Sequence, residues 1–356
     1  MQRIYHLSHI DLDGYGCQYL TTDFFDTIEC YNANYGPEVK ARLEEIIKKI
    51  GQDKFIYGEK DEYVVLITDL NLTTKEANWI EKEIMRIGAK IQLLDHHATG
   101  ANTAQRFAWY MLDTTKCATL ITYHWLQKQY NFDPQNSFLQ IVNAINAIDI
   151  WVSDDKFFEY GKVCLGMISG AREINRTLFP AQDRALKFAL IAKAKELIHQ
   201  EEANIKLDDA LHPTKKEFFR KEKNDTKDNL VADYMTDLLS KDKARLTIEY
   251  RGYKGLLGYN VGSSSLIGNA FLVANPDYDF YMDVNFRGNF SLRGHDKLDV
   301  SQMASHIGNG GGHPNASGGK IENYKDSFVY AHVRTFIQEY IKQKCVELKS
   351  DFLTQK

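Results

Sequence analysis

The chain has 356 residues, of which 44% are hydrophobic and 26% charged, with a formal net charge of −4 at neutral pH. This is the profile of an ordinary soluble globular protein of about two domains, with no apolar run near the roughly 20 residues of a membrane span. The negative balance argues against a broad basic surface for long nucleic acid, but not against a phosphate group held through bound cations.

The first ~150 residues alternate apolar runs with helical patterns. Ile4 to His9 reads as a strand, Gly14 to Phe25 as a helix, Glu29 to Ala33 as a second strand. Glu38 to Ile50 reads as a helix with Leu43, Ile46, Ile47 and Ile50 on one face. Tyr63 to Thr68 is a strand, followed by a helix with Ala77, Ile80, Ile84 and Ile87 at helical spacing and a cap at Gly88. Ala89 to Leu94 is another strand. Such alternation implies βαβ units, a mostly parallel sheet and helices on both faces. Cys117 to Leu211 reads as helical, with Phe138, Ile141, Val142, Ile145 and Ile148 on one face of the stretch Ser137 to Asp149.

Lys215 to Asp228 is dense in charge of mixed sign and reads as a solvated linker or exposed helix, with a phosphate-steering patch as the competing reading. Beyond Asp233 the pattern changes. Arg245 to Tyr250, Lys254 to Tyr259, Asp279 to Asn285 and Asn289 to Arg293 look like strands, with helices near Ser265 and Val300 and a last helix from Lys325 to Leu348. The expected fold is therefore α/β: a first domain over 1–200, a charged linker or connecting helix over 201–232, and a smaller α/β domain over 233–349. Five cysteines, scattered and never in a Cys-x-x-Cys pair, fit reduced thiols. The start lacks a basic leader and apolar segment, so no signal peptide is expected and a cytoplasmic location is.

Acidic and histidine residues follow the strand-like runs. His9, Asp11 and Asp13 come after the first, Asp69 after the third, and Asp95, His96 and His97 after the fourth; Asp149 ends the apolar helix. In parallel α/β sheets ligands sit beyond the carboxyl ends of the strands. If the first segment is extended, His9, Asp11 and Asp13 project to the same side, and Gly14 and Gly16 allow a tight turn. Each part has a plainer reading: Asp residues at strand ends often cap the next helix, and Asp-x-Asp-Gly occurs in ordinary turns. Their convergence on one edge supplies enough oxygen and imidazole ligands for two divalent metals, which activate water for in-line attack at phosphorus. In the second half, Gly311, Gly312 and His313 lie in a glycine-rich cluster that lets backbone amides approach an anion, or is simply a flexible turn. Ser291 and Arg293 end the strand before it, where the guanidinium can hold a phosphate or make a surface ion pair.

His9-x-Asp11-x-Asp13-Gly, Asp69, Asp95-His96-His97, Asp149 and Gly310-Gly-Gly-His313 with Ala316 and Gly318 together resemble the DHH phosphoesterase superfamily, in the branch with a DHHA1-like second domain. Within it the first motif is most similar to the nano-RNases, and to the B-type oligoribonuclease more than the A type. Asn309 interrupts the glycine run and Gly294 follows Arg293 where many relatives have a hydroxyl residue, which bears on substrate choice.

The resemblance implies a DHH catalytic domain, a DHHA1-like domain and a cleft between them. It implies two metal ions, manganese above all: His9, Asp11 and Asp69 on the first, and Asp13, Asp69, His96 and Asp149 on the second. His97 would contact the scissile phosphate or protonate the leaving oxygen, with Asp95 orienting a neighbouring histidine. Ser291, Arg293, Gly311, Gly312 and His313 would bind substrate. The implied activity is 3′-5′ hydrolysis of short RNA to mononucleotides by a metal-activated hydroxide. Cyclic or linear dinucleotides (cyclic di-AMP, pApA) or 3′-phosphoadenosine 5′-phosphate are alternative substrates. A non-catalytic nucleotide-binding protein is the alternative from another class, disfavoured because no ligand is missing. Family analogy allows a homodimer.

Overall fold

The computed structural model of the chain describes residues 1–58, 60–132 and 136–354. The chain divides into two compact units, Met1–Ala171 with Arg184–Thr214, and Arg172–Asp183 with Lys215–Lys356.

In the first unit β1 (Gln2–Ser8), β2 (Ile28–Asn32), β3 (Glu62–Thr68), β4 (Lys90–Asp95) and β5 (Tyr110–Leu112) form a parallel sheet of order β2-β1-β3-β4-β5. The run Tyr63-Val-Val-Leu-Ile-Thr68 is buried throughout, as a strand covered on both faces must be. Helices follow as α1 (Leu12–Phe24), α2 (Pro37–Tyr57), α3 (Thr74–Arg86), α4 (Ala101–Ala104), α5 (Ala118–Tyr130), α6 (Asn136–Asp149), α7 (Phe158–Ser169), α8 (Pro180–Leu197) and α9 (Ala203–Phe219). Val39, Leu43, Ile46 and Ile50 of α2 and Ala77, Ile80 and Ile84 of α3 bury their stripes in one core with Tyr5, Leu7, Val65, Ile67 and Leu93. On the other side α1 packs on β1, α5 and α6. From β1 the chain crosses to β2 on one side and then to β3 on the other, so the strand order reverses at β1. The carboxyl ends flanking that reversal are where such sheets bind ligands.

The second unit holds α10 (Lys227–Lys241), α11 (Lys243–Leu246), β6 (Thr247–Tyr250), β7 (Tyr253–Tyr259), α12 (Ser264–Ala274), β8 (Phe280–Val284), β9 (Asn289–Gly294), α13 (Val300–Gly308), β10 (Gly311–His313), β11 (Ala316–Lys320) and α14 (Tyr330–Thr354). Its six strands run in the order β10-β11-β9-β8-β7-β6. Only β7 and β8 pair in parallel.

Several boundaries differ from the sequence reading for physical reasons. Helix α1 begins at Leu12 rather than Gly14, because Asp11 caps it by accepting from the Gly14 N–H at 3.0 Å. Strands β5, β10 and β11 were not expected; the first and second have three residues each, too short for an alternation to register. The stretch 201–232, expected as a charged linker or connecting helix, is mostly helical. Helices α9 and α10 fill most of it, and 201–214 belongs to the first unit. Arg172–Asp183 belongs to the second, where Glu173 pairs with Lys215 at 2.8 Å and Leu178 O accepts from Arg245 at 3.1 Å. Residues 220–226 between α9 and α10 are solvent-exposed. Among the described residues, no helix is long and apolar enough to cross a membrane.

Candidate metal centre

Three carboxyl ends build the site. Ser8 ends β1 and is fixed from below, its hydroxyl donating to Gly14 O at 3.0 Å and meeting Thr68 Oγ1 at 2.7 Å. Gly14 is obligatory: a Cβ there would lie 2.3 Å from His9 O. The tight turn into α1 therefore needs the one residue without a Cβ. His9 follows β1, and its Nδ1 is 2.8 Å from Asp11 Oδ2 and 3.6 Å from Asp69 Oδ2.

Asp69 follows β3 in the left-handed region (φ 56°), a conformation that Asp and Asn tolerate better than most residues. Its two oxygens serve opposite sides. Oδ2 faces His9, while Oδ1 lies 3.4 Å from His96 Nε2. His96 Nε2 is also 3.5 Å from Asp149 Oδ2 and 3.7 Å from Asp13 Oδ2. Asp149 is the last residue of α6. Three groups can thus each hold an ion with one atom per residue, all within 4.8 Å of one another: His9, Asp11 and Asp69; Asp13, His96 and Asp149; and Asp69, His96 and His97. The third group brings His97 within ligand range, a placement the sequence did not predict.

His9, Asp11 and Asp13 do not line one side of an extended chain. Asp11 is the α1 cap and Asp13 lies in its first turn, turned toward the start of α5, where it accepts from the N–H groups of Ala118 and Thr119, both at 2.7 Å. Asp13 therefore caps α5 while remaining near His96, so the plain capping role and the ligand role coexist in one side chain.

The electrostatics call for cations. Burial, then the charges of Asp13 and Asp11, push the Asp69 carboxyl well above the usual range. Burial, then Asp13 and Asp69, raise Asp149; burial, then Asp11, raises Asp13. Asp11, which burial alone would raise, is brought down to about 2 by the hydrogen bond and charge of His9 and by the Gly14 N–H. His9, which burial alone would lower, is held at about 10 by its hydrogen bond to Asp11 and by the nearby charge of Asp69. Asp69 Oδ2 is buried and has no hydrogen-bond partner. A buried carboxylate oxygen without a donor, among mutually repelling acids and imidazoles, fits a divalent cation.

His97 is held separately. Its Nδ1 is 2.7 Å from Asp95 Oδ1, and Tyr110 donates to Asp95 Oδ2 at 2.6 Å. Burial alone would raise Asp95, but its bonds from His97 and Tyr110 lower it, so it stays ionised and places a proton on His97 Nδ1. Tyr35, in the turn after β2, was missed by the sequence reading. Its hydroxyl is 2.8 Å from His97 Nε2 and its ring centroid 4.5 Å from that of His9. Asn32 and Arg184 were missed too: Arg184 donates to Asn32 Oδ1 at 3.1 Å, and Asn32 donates to His9 O at 3.1 Å. No motif marks these three, because each acts through a fold contact rather than a spacing.

The substrate residues inferred for the second half lie together in the second unit. Ser291 pairs with Gly318 and with Asp283, Arg293 with Ala316 and Tyr281, and Gly311, Gly312 and His313 with Gly318, Ser317 and Ala316. Arg293 donates to Ser265 Oγ and, at 2.7 Å, to Leu292 O.

No family model matches this chain. It is 42% identical over 348 residues to the 3′,5′-cyclic-nucleotide phosphodiesterase of Helicobacter pylori (strain ATCC 700392 / 26695), covering 95% of this chain and 99% of that one. The chain belongs to the DHH-type phosphoesterases. A second member, oligoribonuclease NrnB of Bacillus subtilis (strain 168), is 25% identical over 330 residues, 89% of this chain and 73% of its own. The crystal structure of an uncharacterized protein from Helicobacter pylori G27 superposes with a TM-score of 0.89 at 41% identity, covering 96% of this chain and all of that one. The DHH-type α/β fold and the paired ligand groups thus go together in this chain.

Proposed function

We propose that the chain is a two-manganese phosphodiesterase that opens the phosphodiester of small nucleotides, with 3′,5′-cyclic nucleotides as its first substrate class. The observation that carries this reading is the split of Asp69, one oxygen toward the His9–Asp11 group and the other toward His96. A carboxylate placed in this way would serve both groups when cations are bound. His9, Asp11 and Asp69 would hold one, and Asp13, Asp69, His96 and Asp149 the other. When bound, such a pair supplies a nucleophile from water at neutral pH and offsets charge on the phosphoryl oxygens.

The chain's own groups do the rest. Asp95 keeps a proton on His97 Nδ1, which leaves Nε2 to meet a phosphate oxygen or, when protonated, to give a proton to the leaving oxygen. The Tyr35 hydroxyl, 2.8 Å from Nε2, steadies the imidazole from its other side. Arg293, Ser291, His313 and the amides of Gly311 and Gly312 take the part of the substrate that does not react. The substrate class follows the relative that is 42% identical across almost the whole of both chains.

Short RNA, cleaved from the 3′ end, is the second reading. It is supported by the 25% identity to the Bacillus oligoribonuclease and by the first-motif residues around His9. The same attack at phosphorus serves both substrates.

The test is incubation with manganese and, separately, 3′,5′-cyclic AMP, 3′,5′-cyclic GMP, a 5′-labelled RNA pentamer and cyclic di-AMP, with Asp69→Ala as control. Opening of a cyclic mononucleotide that is lost in the variant is the expected result. A ladder from RNA with cyclic mononucleotides intact would move the assignment to the exonuclease. Hydrolysis of none of the four would overturn the phosphodiesterase reading.

A further inference from the structure

We propose that Trp151 is a stacking platform for the nucleobase of the substrate, beside the metal ligand Asp149. This rests on the reading that the substrate is a nucleotide.

Helix α6 ends in a left-handed closure: the Ile150 N–H donates to Asn146 O at 3.2 Å and the Val152 N–H to Ala147 O at 2.8 Å. The left-handed position of such a closure is normally glycine, because a Cβ is crowded there. Here it is Trp151, at φ 58°. A bulky aromatic residue at positive φ is a genuine outlier, and outliers of this kind concentrate at functional sites.

The side chain carries a second cost. Trp151 is 67% exposed. Its contact with Phe158 is edge-on, at 5.3 Å and 83°, and among the described residues its indole N–H has no hydrogen-bond partner. Packing therefore does not explain an indole in this place, and helix termination would be better served by glycine. What the position does offer is nearness to the chemistry. Asp149 lies two residues back, at most about 7 Å of chain, with its carboxylate 3.5 Å from His96 Nε2. A flat, exposed aromatic ring borne two residues from a proposed metal ligand suits stacking on the nucleobase of a phosphate ester held there. Stacking tolerates any base, since each has a π face.

The remaining tryptophans are buried or half-buried (Trp79, Trp109 and Trp125), so a ligand that covers Trp151 is read directly by fluorescence. The experiment titrates adenosine 5′-monophosphate and ribose 5-phosphate into the full chain in magnesium buffer. Neither ligand is a diester, so the result does not depend on turnover. Adenosine monophosphate is expected to quench the emission and ribose 5-phosphate to leave it unchanged. By isothermal titration calorimetry, the affinity of Trp151→Gly for adenosine monophosphate falls about 5- to 150-fold, while that for ribose 5-phosphate holds. Trp151→Phe restores most of the preference for the ligand with a base. The melting temperature of Trp151→Gly is unchanged or higher, because glycine suits the left-handed position.

A wild-type chain whose emission ignores adenosine monophosphate overturns the platform, even if diester hydrolysis is found and the phosphodiesterase reading stands. Equal affinity for adenosine monophosphate in wild type and Trp151→Gly overturns it as well. A Trp151→Gly chain that melts several degrees lower assigns the ring to the fold instead.

Discussion

Asp69→Asn separates a metal ligand from a structural residue. Asn tolerates the left-handed backbone at this position, so the turn after β3 is preserved. The exchange removes a charge that the fold holds against repulsion, from a side chain whose Oδ2 has no donor to lose. Without metal the variant is therefore expected to melt at or above the wild-type temperature in EDTA. With metal the order reverses. A cation at 100 times its dissociation constant stabilises a fold by about 2.7 kcal/mol, so two sites give about 5 kcal/mol. At roughly 2–4 °C per kcal/mol for a domain of this size, manganese should raise the wild-type melting temperature by about 10–20 °C. The variant loses the ligand common to both groups and should keep half of that rise or less. Differential scanning fluorimetry with and without manganese reads all four states. A variant several degrees less stable in EDTA, or with the full manganese shift, would refute the bridging role.

Asp283 is buried on β8, and burial pushes its carboxyl up to about 7 against one opposing hydrogen bond from the Val261 N–H at 3.1 Å. A raised folded-state value means stability that is complete below the ordinary carboxylate range and lost as pH rises through about 7. Asp283→Asn should remove a pH-dependent loss on the order of 2–4 kcal/mol between pH 5 and 8 in urea titrations; parallel pH profiles for the two proteins would contradict this. Tyr35→Phe deletes the 2.8 Å bond to His97, worth about 1 kcal/mol, and should lower kcat roughly fivefold with the manganese melting shift intact. An unchanged kcat would leave Tyr35 without a positioning role. Gly14→Ala would gain about 1 kcal/mol in an ordinary helix, but here its Cβ meets His9 O at 2.3 Å, so a loss of about 2–4 kcal/mol is expected in denaturant titration. A loss under about 0.5 kcal/mol would show that the turn yields.

The ligands were legible because parallel strands end in one place. An apolar run followed by Asp or His is a strand carboxyl end, and His9, Asp69 and His96 stand just beyond three adjacent strands. The helical placement of Asp13 was not legible. A period of two was assumed past Ser8, whereas the Asp11 cap starts a period of 3.6 there. Tyr35, Asn32 and Arg184 stayed hidden because they reach His97 and His9 by tertiary contact, 62, 23 and 152 residues away from their partners in the case of His97, His9 and Asn32. Trp151 stayed hidden because its meaning lies in a backbone angle. Strands β10 and β11 were not recognised as strands, since a hairpin of Gly and Ser lacks the branched side chains that mark strands.

The order of β1, β3 and β4 makes the sheet a ruler. Neighbouring strands are spaced about 4.8 Å apart by backbone hydrogen bonding, and paired catalytic cations are typically about 3.5–4 Å apart. The separation of His9, Asp69 and His96, which stand just beyond three adjacent strands, is thus set by main-chain geometry. A change of the ester bound at this edge would therefore leave the spacing of His9, Asp69 and His96 as the sheet sets it.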